Sequence, residues 1–192
     1  MKSILGIDTE TTGLTRDDCI VQLALVRLNP LTFETEERYG TLVYTDVPVH
    51  PKAQAVHGIS PEMLAGAPSW EEVLRDSPLL PWLESADIIL GHNVGFDLRM
   101  LGVPKEDPRP RLDTWHICRS LFPGWRNHKL QTCVAELGLP QRQAHDALGD
   151  IESSADIVRY LHRQYGMDLD AALDAPNLLK RLYIRRFGQT KK

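Results

Sequence analysis

One short run near the start of the chain, Ser3-Ile4-Leu5-Gly6-Ile7, constrains the fold more than any other feature. It is almost continuously apolar, without the alternation of a half-exposed strand, so it reads as a buried strand near the middle of a sheet. Two stretches follow, residues 19–28 and, more loosely, 33–44, that alternate and are partly β-branched. With Asn29-Pro30 as the turn between them, they are expected to form an antiparallel meander. From Ser60 the texture changes. Ser60-Pro61-Glu62 and Ser69-Trp70-Glu71-Glu72 are helix-start signals with acidic residues in the first turn. A second short buried strand is expected at 87–90, closed by Gly91, and another around 111–112. Helices are expected at 94–101, 114–121, 129–137 and 147–165. Strands first, then strands alternating with helices, give an α/β fold built on a mixed sheet.

The buried first strand does not end in neutral residues. It runs into Asp8-Thr9-Glu10, and strand alternation sends both carboxylates to one face. Side by side at the end of a buried strand they repel unless a cation lies between them; the bland alternative is that the strand has ended and both are solvated in a turn. After the second buried strand comes His92-Asn93-Val94-Gly95-Phe96-Asp97. On a helix beginning near Val94, Asp97 falls between Val94, Leu98 and Leu101, the stripe that should face the core. A carboxylate there needs compensation, unless the polar face is the outer one and Asp97 is simply solvated. The third cluster, His145-Asp146-Ala147-Leu148-Gly149-Asp150, heads a long amphipathic pattern. His145 and Asp150 are five apart, about 140° on a helical wheel, and so cannot share a helix face. The chain resolves this if His145 ends a loop, Asp146 caps the helix and Asp150 emerges from its first turns. Taken alone, a loop residue such as His145 is more often a surface histidine, and a first-turn residue such as Asp150 more often serves the helix dipole.

Together the clusters point one way. Oxygen ligands of this kind suit hard cations such as Mg2+ or Mn2+, and two such ions can drive in-line displacement at phosphorus. The sequence offers no competing GxSxG, P-loop or HExxH chemistry.

At these residues the chain resembles the DEDD-type 3′–5′ exonucleases, histidine branch, the family of the proofreading epsilon subunit and of stand-alone exonuclease X. The first family motif stands as Asp8-Thr9-Glu10-Thr11-Thr12-Gly13-Leu14, the second as His92 to Asp97, the third as His145 to Asp150. A further family habit stands as His57-Gly58-Ile59. The resemblance spans residues 4–165 and implies a ribonuclease H-like fold, a five-stranded mixed sheet flanked by helices. It implies that Asp8, Glu10 and Asp150 hold one divalent cation, that Asp8 bridges to a second, and that Asp97 holds the second partly through water. His145 is then the general base. Substrate contacts are implied for Thr11, Gly13, Leu14, His57, Asn93 and Phe96; core packing for Phe96 and turn stabilisation for His57 are the alternatives.

Charge bears on the partner. Net charge is −4, with 8 Lys+Arg against 17 Asp+Glu in residues 1–108 and 14 against 9 in residues 109–192. Such a chain is poorly made to coat a long nucleic-acid backbone. It can grip a strand end where bound cations supply positive charge. The expected partner is therefore the 3′ end of a single strand, DNA in preference to RNA. RNA 3′-end trimming, or service mainly as the binding partner of a DNA polymerase or repair assembly, are the alternatives. No apolar run is long enough to span a membrane, and the start is too short in apolar residues for a signal peptide. Cys19, Cys118 and Cys133, odd in number and without a CxxC pair, suit a reducing cytoplasm. The expected organisation is an exonuclease domain over residues 1–165 and a C-terminal extension over 166–192. In the extension, Asp174-Ala175-Pro176 signals a helix start, and Leu179, Leu182 and Tyr183 lie beside Lys180, Arg181, Arg185 and Arg186. Such a basic amphipathic helix would bind phosphate, dock on a partner or pack back on its own domain.

Overall fold

In the computed structural model, which describes residues 2–174, the opening apolar run is the central strand of a five-stranded sheet. The meander forms first: β1 (Ile4–Thr11), β2 (Ile20–Leu28) and β3 (Thr35–Leu42). Four short helices follow, α1 (Pro51–His57), α2 (Pro61–Leu64), α3 (Trp70–Asp76) and α4 (Leu79–Ser85). Then strands and helices alternate: β4 (Ile88–Gly91), α5 (Gly95–Met100), β5 (Arg111–Asp113), α6 (Thr114–Leu121), α7 (Leu130–Glu136), α8 (Ala147–Tyr165) and α9 (Leu169–Leu173). The spatial order is β3-β2-β1-β4-β5, antiparallel from β3 to β1 and parallel from β1 to β5. This is the mixed sheet flanked by helices expected from the sequence.

β1 lacks alternation because both of its faces are covered. Ile4 joins a core with Val26, Leu90, Ile151 and Ala155 on the α8 side, while Leu5 and Ile7 join Leu23, Val73, Val94 and Leu98 on the other. Gly6 faces α8 so closely that a β-carbon there would lie 2.5 Å from Val26 Cγ2 and 2.9 Å from Ile151 Cγ1. A side chain at this position would push the longest helix off the sheet. β3 is the exposed edge, and Glu36, Glu37 and Arg38 make it a poor template for further strand pairing.

Three details differ from expectation. β3 begins at Thr35 rather than Phe33, because Phe33 turns left-handed (φ 59°) and buries its ring against His162. Helices α1 and α4 are not among those expected: α1 buries no side chain and so has no apolar period, and α4 contains Pro81 among its apolar residues. Past α8 the chain keeps packing, with Met167, Ala171 and Ala172 buried in the α8-side core. The helix expected at 177–187 lies outside the described residues. Among the described residues, no helix is long and apolar enough to cross a membrane. Cys118 and Cys133 are buried, and Cys19 is half-buried.

Candidate active site

β1 continues as a strand through Thr11, so Asp8 and Glu10 do share one face, the face that α8 covers. At the far end of that strand the ladder with β2 is irregular: Glu10 pairs with Gln22, but Thr11 pairs with Ile20. Such bulges re-aim side chains and are common beside active sites. Gln22, the cross-strand partner of Glu10, reaches the start of α8. Its Nε2 donates to Asp146 Oδ1 (2.8 Å) and its Oε1 accepts from Ala147 N (3.0 Å). Asp146 caps α8 by accepting from Gly149 N. The helix that carries Asp150 is thereby registered on the strand that faces Glu10.

Asp97 and Asp150 are 5% and 7% exposed. Thr9, between the two strand carboxylates, donates from its backbone N (2.9 Å) and its hydroxyl (2.8 Å) to one oxygen of Asp97. Asp150 is held from two sides, by Gln131 Nε2 at Oδ1 (2.9 Å) and by His145 N at Oδ2 (3.2 Å). His145 is exposed, sits left-handed (φ 60°) in the loop before α8, and lies on a segment that Arg142 ties to Asp156 of α8. A non-glycine residue in that region stores strain, which persists where the surroundings enforce it. One ligand atom each from Glu10, His145 and Asp150 falls within 4.8 Å of the others.

The charges are in conflict. Burial, then the negative charges of Asp97, Asp150, Glu10 and Asp146, push Asp8 well above the usual carboxylate range. Burial, then Asp150 and Asp97, raise Glu10 to about 8. Burial raises Asp97 to about 7 although the Thr9 hydrogen bonds oppose it, and burial raises Asp150 as well. A structural ion-pair network would include cations that lower these values; among the described residues this cluster has none but His145, which lowers Asp150.

The sequence model of one family, the exonuclease (RNase T) family, matches residues 5–158 of the 192. The chain belongs to the RNase T exonuclease family. The matched stretch includes all three motifs. Among its relatives, a DNA polymerase III subunit epsilon-like protein of Rhodobacter capsulatus is 36% identical over 78% of this chain. The DNA polymerase III subunit epsilon of Haemophilus influenzae is 32% identical over 79%. The chain spans only 22% and 64% of those two proteins' own lengths. Among solved structures, exonuclease X in complex with 5′-overhanging duplex DNA superposes with a TM-score of 0.70 at 26% identity, covering 90% of this chain and 99% of that one. Exonuclease I, at 20% identity and a TM-score of 0.71, shares the fold.

Within this exonuclease domain the other expected contacts fall around the same sheet end. Thr11 is buried and donates its hydroxyl to the Gly13 carbonyl (2.6 Å). Gly13 is packed on the Asp18 carboxylate, where a β-carbon would come within 2.5 Å. Asp18 in turn accepts from Thr12 and from the amide and hydroxyl of Thr15, which closes the loop and leaves Leu14 79% exposed at its tip. His57 uses both ring nitrogens on backbone, accepting from Ile59 N (3.0 Å) and facing the Thr11 carbonyl (3.2 Å). Burial lowers its pKa, so the neutral ring that accepts at Nδ1 donates to Thr11 from Nε2; that is the turn-stabilising alternative. The nearby charge of His145 lowers it further, which puts His57 at the edge of the site. Asn93 turns left-handed (φ 64°), gives its backbone N–H to Asp113 (2.9 Å) and leaves its side chain exposed. Phe96 is half-buried and joins neither main core, against the core-packing alternative.

Four residues outside the motif positions do work that the sequence did not reveal. Gln22 and Gln131 anchor the α8 end of the site, Asp113 holds Asn93, and Arg99 spans Phe96 and Leu14. No periodicity could have found them, because their partners are set by strand register and helix packing.

Proposed function

We propose that this chain is a two-metal 3′–5′ exonuclease that removes nucleoside 5′-monophosphates from the 3′ end of single-stranded DNA or a frayed duplex end, in proofreading or repair. The observation that carries the reading is the convergence of four carboxylates, from β1, α5 and α8, with pKa values held high by burial and by one another. A site of oxygen donors that cannot all ionise alone fits hard divalent cations, Mg2+ or Mn2+. Asp8, Glu10 and Asp150 would hold one, and Asp8 and Asp97 the other. When bound, two such ions neutralise the carboxylates, bind the scissile phosphate and acidify the attacking water.

The remaining work belongs to the chain. His145 accepts the proton of the attacking water, and its left-handed loop position keeps the ring at the solvent side of Glu10 and Asp150. Leu14 and Phe96 flank the terminal nucleotide, with Asn93 and His57 beside it and Thr11 and Gly13 shaping the loop. DNA is the substrate class supported by the solved complex of exonuclease X with 5′-overhanging duplex DNA. A polymerase partner is supported by relatives named as DNA polymerase III subunits. A reducing cytoplasm suits the three free cysteines.

The test is digestion of end-labelled strands. A 3′-blocked strand should resist and a 5′-blocked strand should not, chelation should abolish turnover, and Mg2+ or Mn2+ should restore it. Cleavage of a circular single strand would make the protein an endonuclease, and robust activity in EDTA would remove the metal reading. A matched RNA strand decides the sugar preference, which rests on the 2′-hydroxyl.

A further inference from the structure

We infer that Arg99, outside all three motifs, is a positioning residue that fixes the width of the cleft between Leu14 and Phe96. The inference rests on the proposed reading that these two side chains flank the terminal nucleotide. Arg99 lies on α5 three residues after Phe96, so the two share a helix face. Its guanidinium carbon stands 5.0 Å over the centre of the Phe96 ring. Its Nη2 donates to the Leu14 carbonyl at 3.2 Å. One guanidinium thus reaches both walls, its carbon over the Phe96 ring and its Nη2 on the Leu14 carbonyl.

The Leu14 loop needs such a tie. Its base is anchored by the Thr11–Gly13 bond, by the Asp18 carboxylate, and by His50 N and His57 at the Thr12 and Thr11 carbonyls, but these ties stop short of Leu14 at the tip. Arg99 supplies a link from the loop tip to α5. An apolar side chain 79% exposed at a loop tip is otherwise free to swing, and a strand end would have to order it on binding. Among the described residues, Arg99 has no carboxylate within ion-pair distance. Its geometry is therefore set by the ring and the carbonyl. Lysine cannot substitute, since an ammonium group has no planar face and no fork of donors.

The measurement is steady-state digestion of a single-stranded oligonucleotide by the full chain carrying Arg99→Ala, Arg99→Gln or Arg99→Lys. All three should raise KM on the order of tenfold, with a much smaller change in kcat. The salt dependence of KM should keep its slope. A 2-aminopurine placed at the 3′ terminus should lose part of its stacking-dependent quenching in each variant. If Arg99→Lys behaves as wild type, or if Arg99→Ala lowers the salt slope by about 0.7, Arg99 is a phosphate contact and the inference is overturned. Leu14→Ala separates the two layers. If it leaves KM unchanged, the nucleotide cleft itself is wrongly assigned; if it raises KM and the Arg99 variants do not, this inference alone fails. With both correct, Arg99→Ala should add little in the Leu14→Ala background, because the two residues act as one unit.

Discussion

Filling the carboxylate cluster with two divalent cations should expel protons, and the number can be worked from the structure. Without metal, Glu10 titrates at about 8 and Asp97 at about 7, and Asp8 is held higher than the ordinary carboxylate range. At pH 7, Glu10 is then roughly 0.9 protonated and Asp97 roughly 0.5. Filling both cation positions requires both as carboxylates, so these two groups release about 1.4 protons at pH 7, and Asp8 adds to that. At pH 9 the pair releases only about 0.1. Through the same linkage, overall affinity for the filled site should tighten by roughly 500-fold between pH 6 and pH 8 from Glu10 and Asp97 alone. Calorimetric titration with Mn2+ at pH 7, in two buffers of contrasting ionisation enthalpy, reads the proton count as the slope of observed heat against buffer heat. A release below about 0.3 proton, or an affinity flat from pH 6 to pH 8, would mean that these carboxylates ionise without help. Crowding of these carboxylates would then not call for a metal.

The same shifts govern the metal-free protein. The folded pKa of Glu10 exceeds its ordinary 4.5 and that of Asp97 its ordinary 3.8, so the folded state binds more protons than the unfolded state in between. Stability without metal should therefore fall as pH rises from about 4 to about 8, and saturating Mg2+ should remove the trend; melting temperature against pH, with EDTA and with metal, checks it. Asp150→Ala should weaken calorimetric Mn2+ binding along with activity, whereas His145→Ala should spare binding and lower single-turnover rates by roughly 10² to 10⁴-fold. Equal loss of metal affinity in both variants would end the general-base assignment. Gly6→Ala should destabilise the fold by about 1–3 kcal/mol in denaturant unfolding, because its methyl meets Val26 and Ile151; an unchanged midpoint would show that α8 yields easily.

Much of this was legible in the residues themselves. The missing alternation of residues 3–7 announced a strand covered on both faces, and the position of Asp97 on a helical wheel announced its burial. The five-residue spacing of His145 and Asp150 required a loop, a cap and a first turn, in the order in which the chain has them. What stayed hidden depends on contacts between distant segments. Helix α1 buries nothing, so it has no apolar period to detect. Phe33 looks like a strand residue but turns left-handed to bury its ring. Strand register cannot be read before pairing is known, so Gln22 could not be matched with Glu10, nor through it with α8.

The division between motif and scaffold follows from the electrostatics. Carboxylates that repel one another cannot set their own positions, so something neutral must hold each of them. Thr9 holds Asp97 with two donors, Gln131 and the His145 amide bracket Asp150, and Gln22 registers the start of α8 through Asp146 and Ala147. Each anchor is a neutral donor or amide, which stabilises a carboxylate without lowering the local demand for positive charge as an arginine would. Arginines are present nearby, but those of the α8 flank pair with Asp156 and Glu152 rather than with the converging carboxylates. Among the described residues, Asp8, Glu10, Asp97 and Asp150 are left without an Arg or Lys partner, which is the condition under which a divalent cation, rather than a side chain, completes the site.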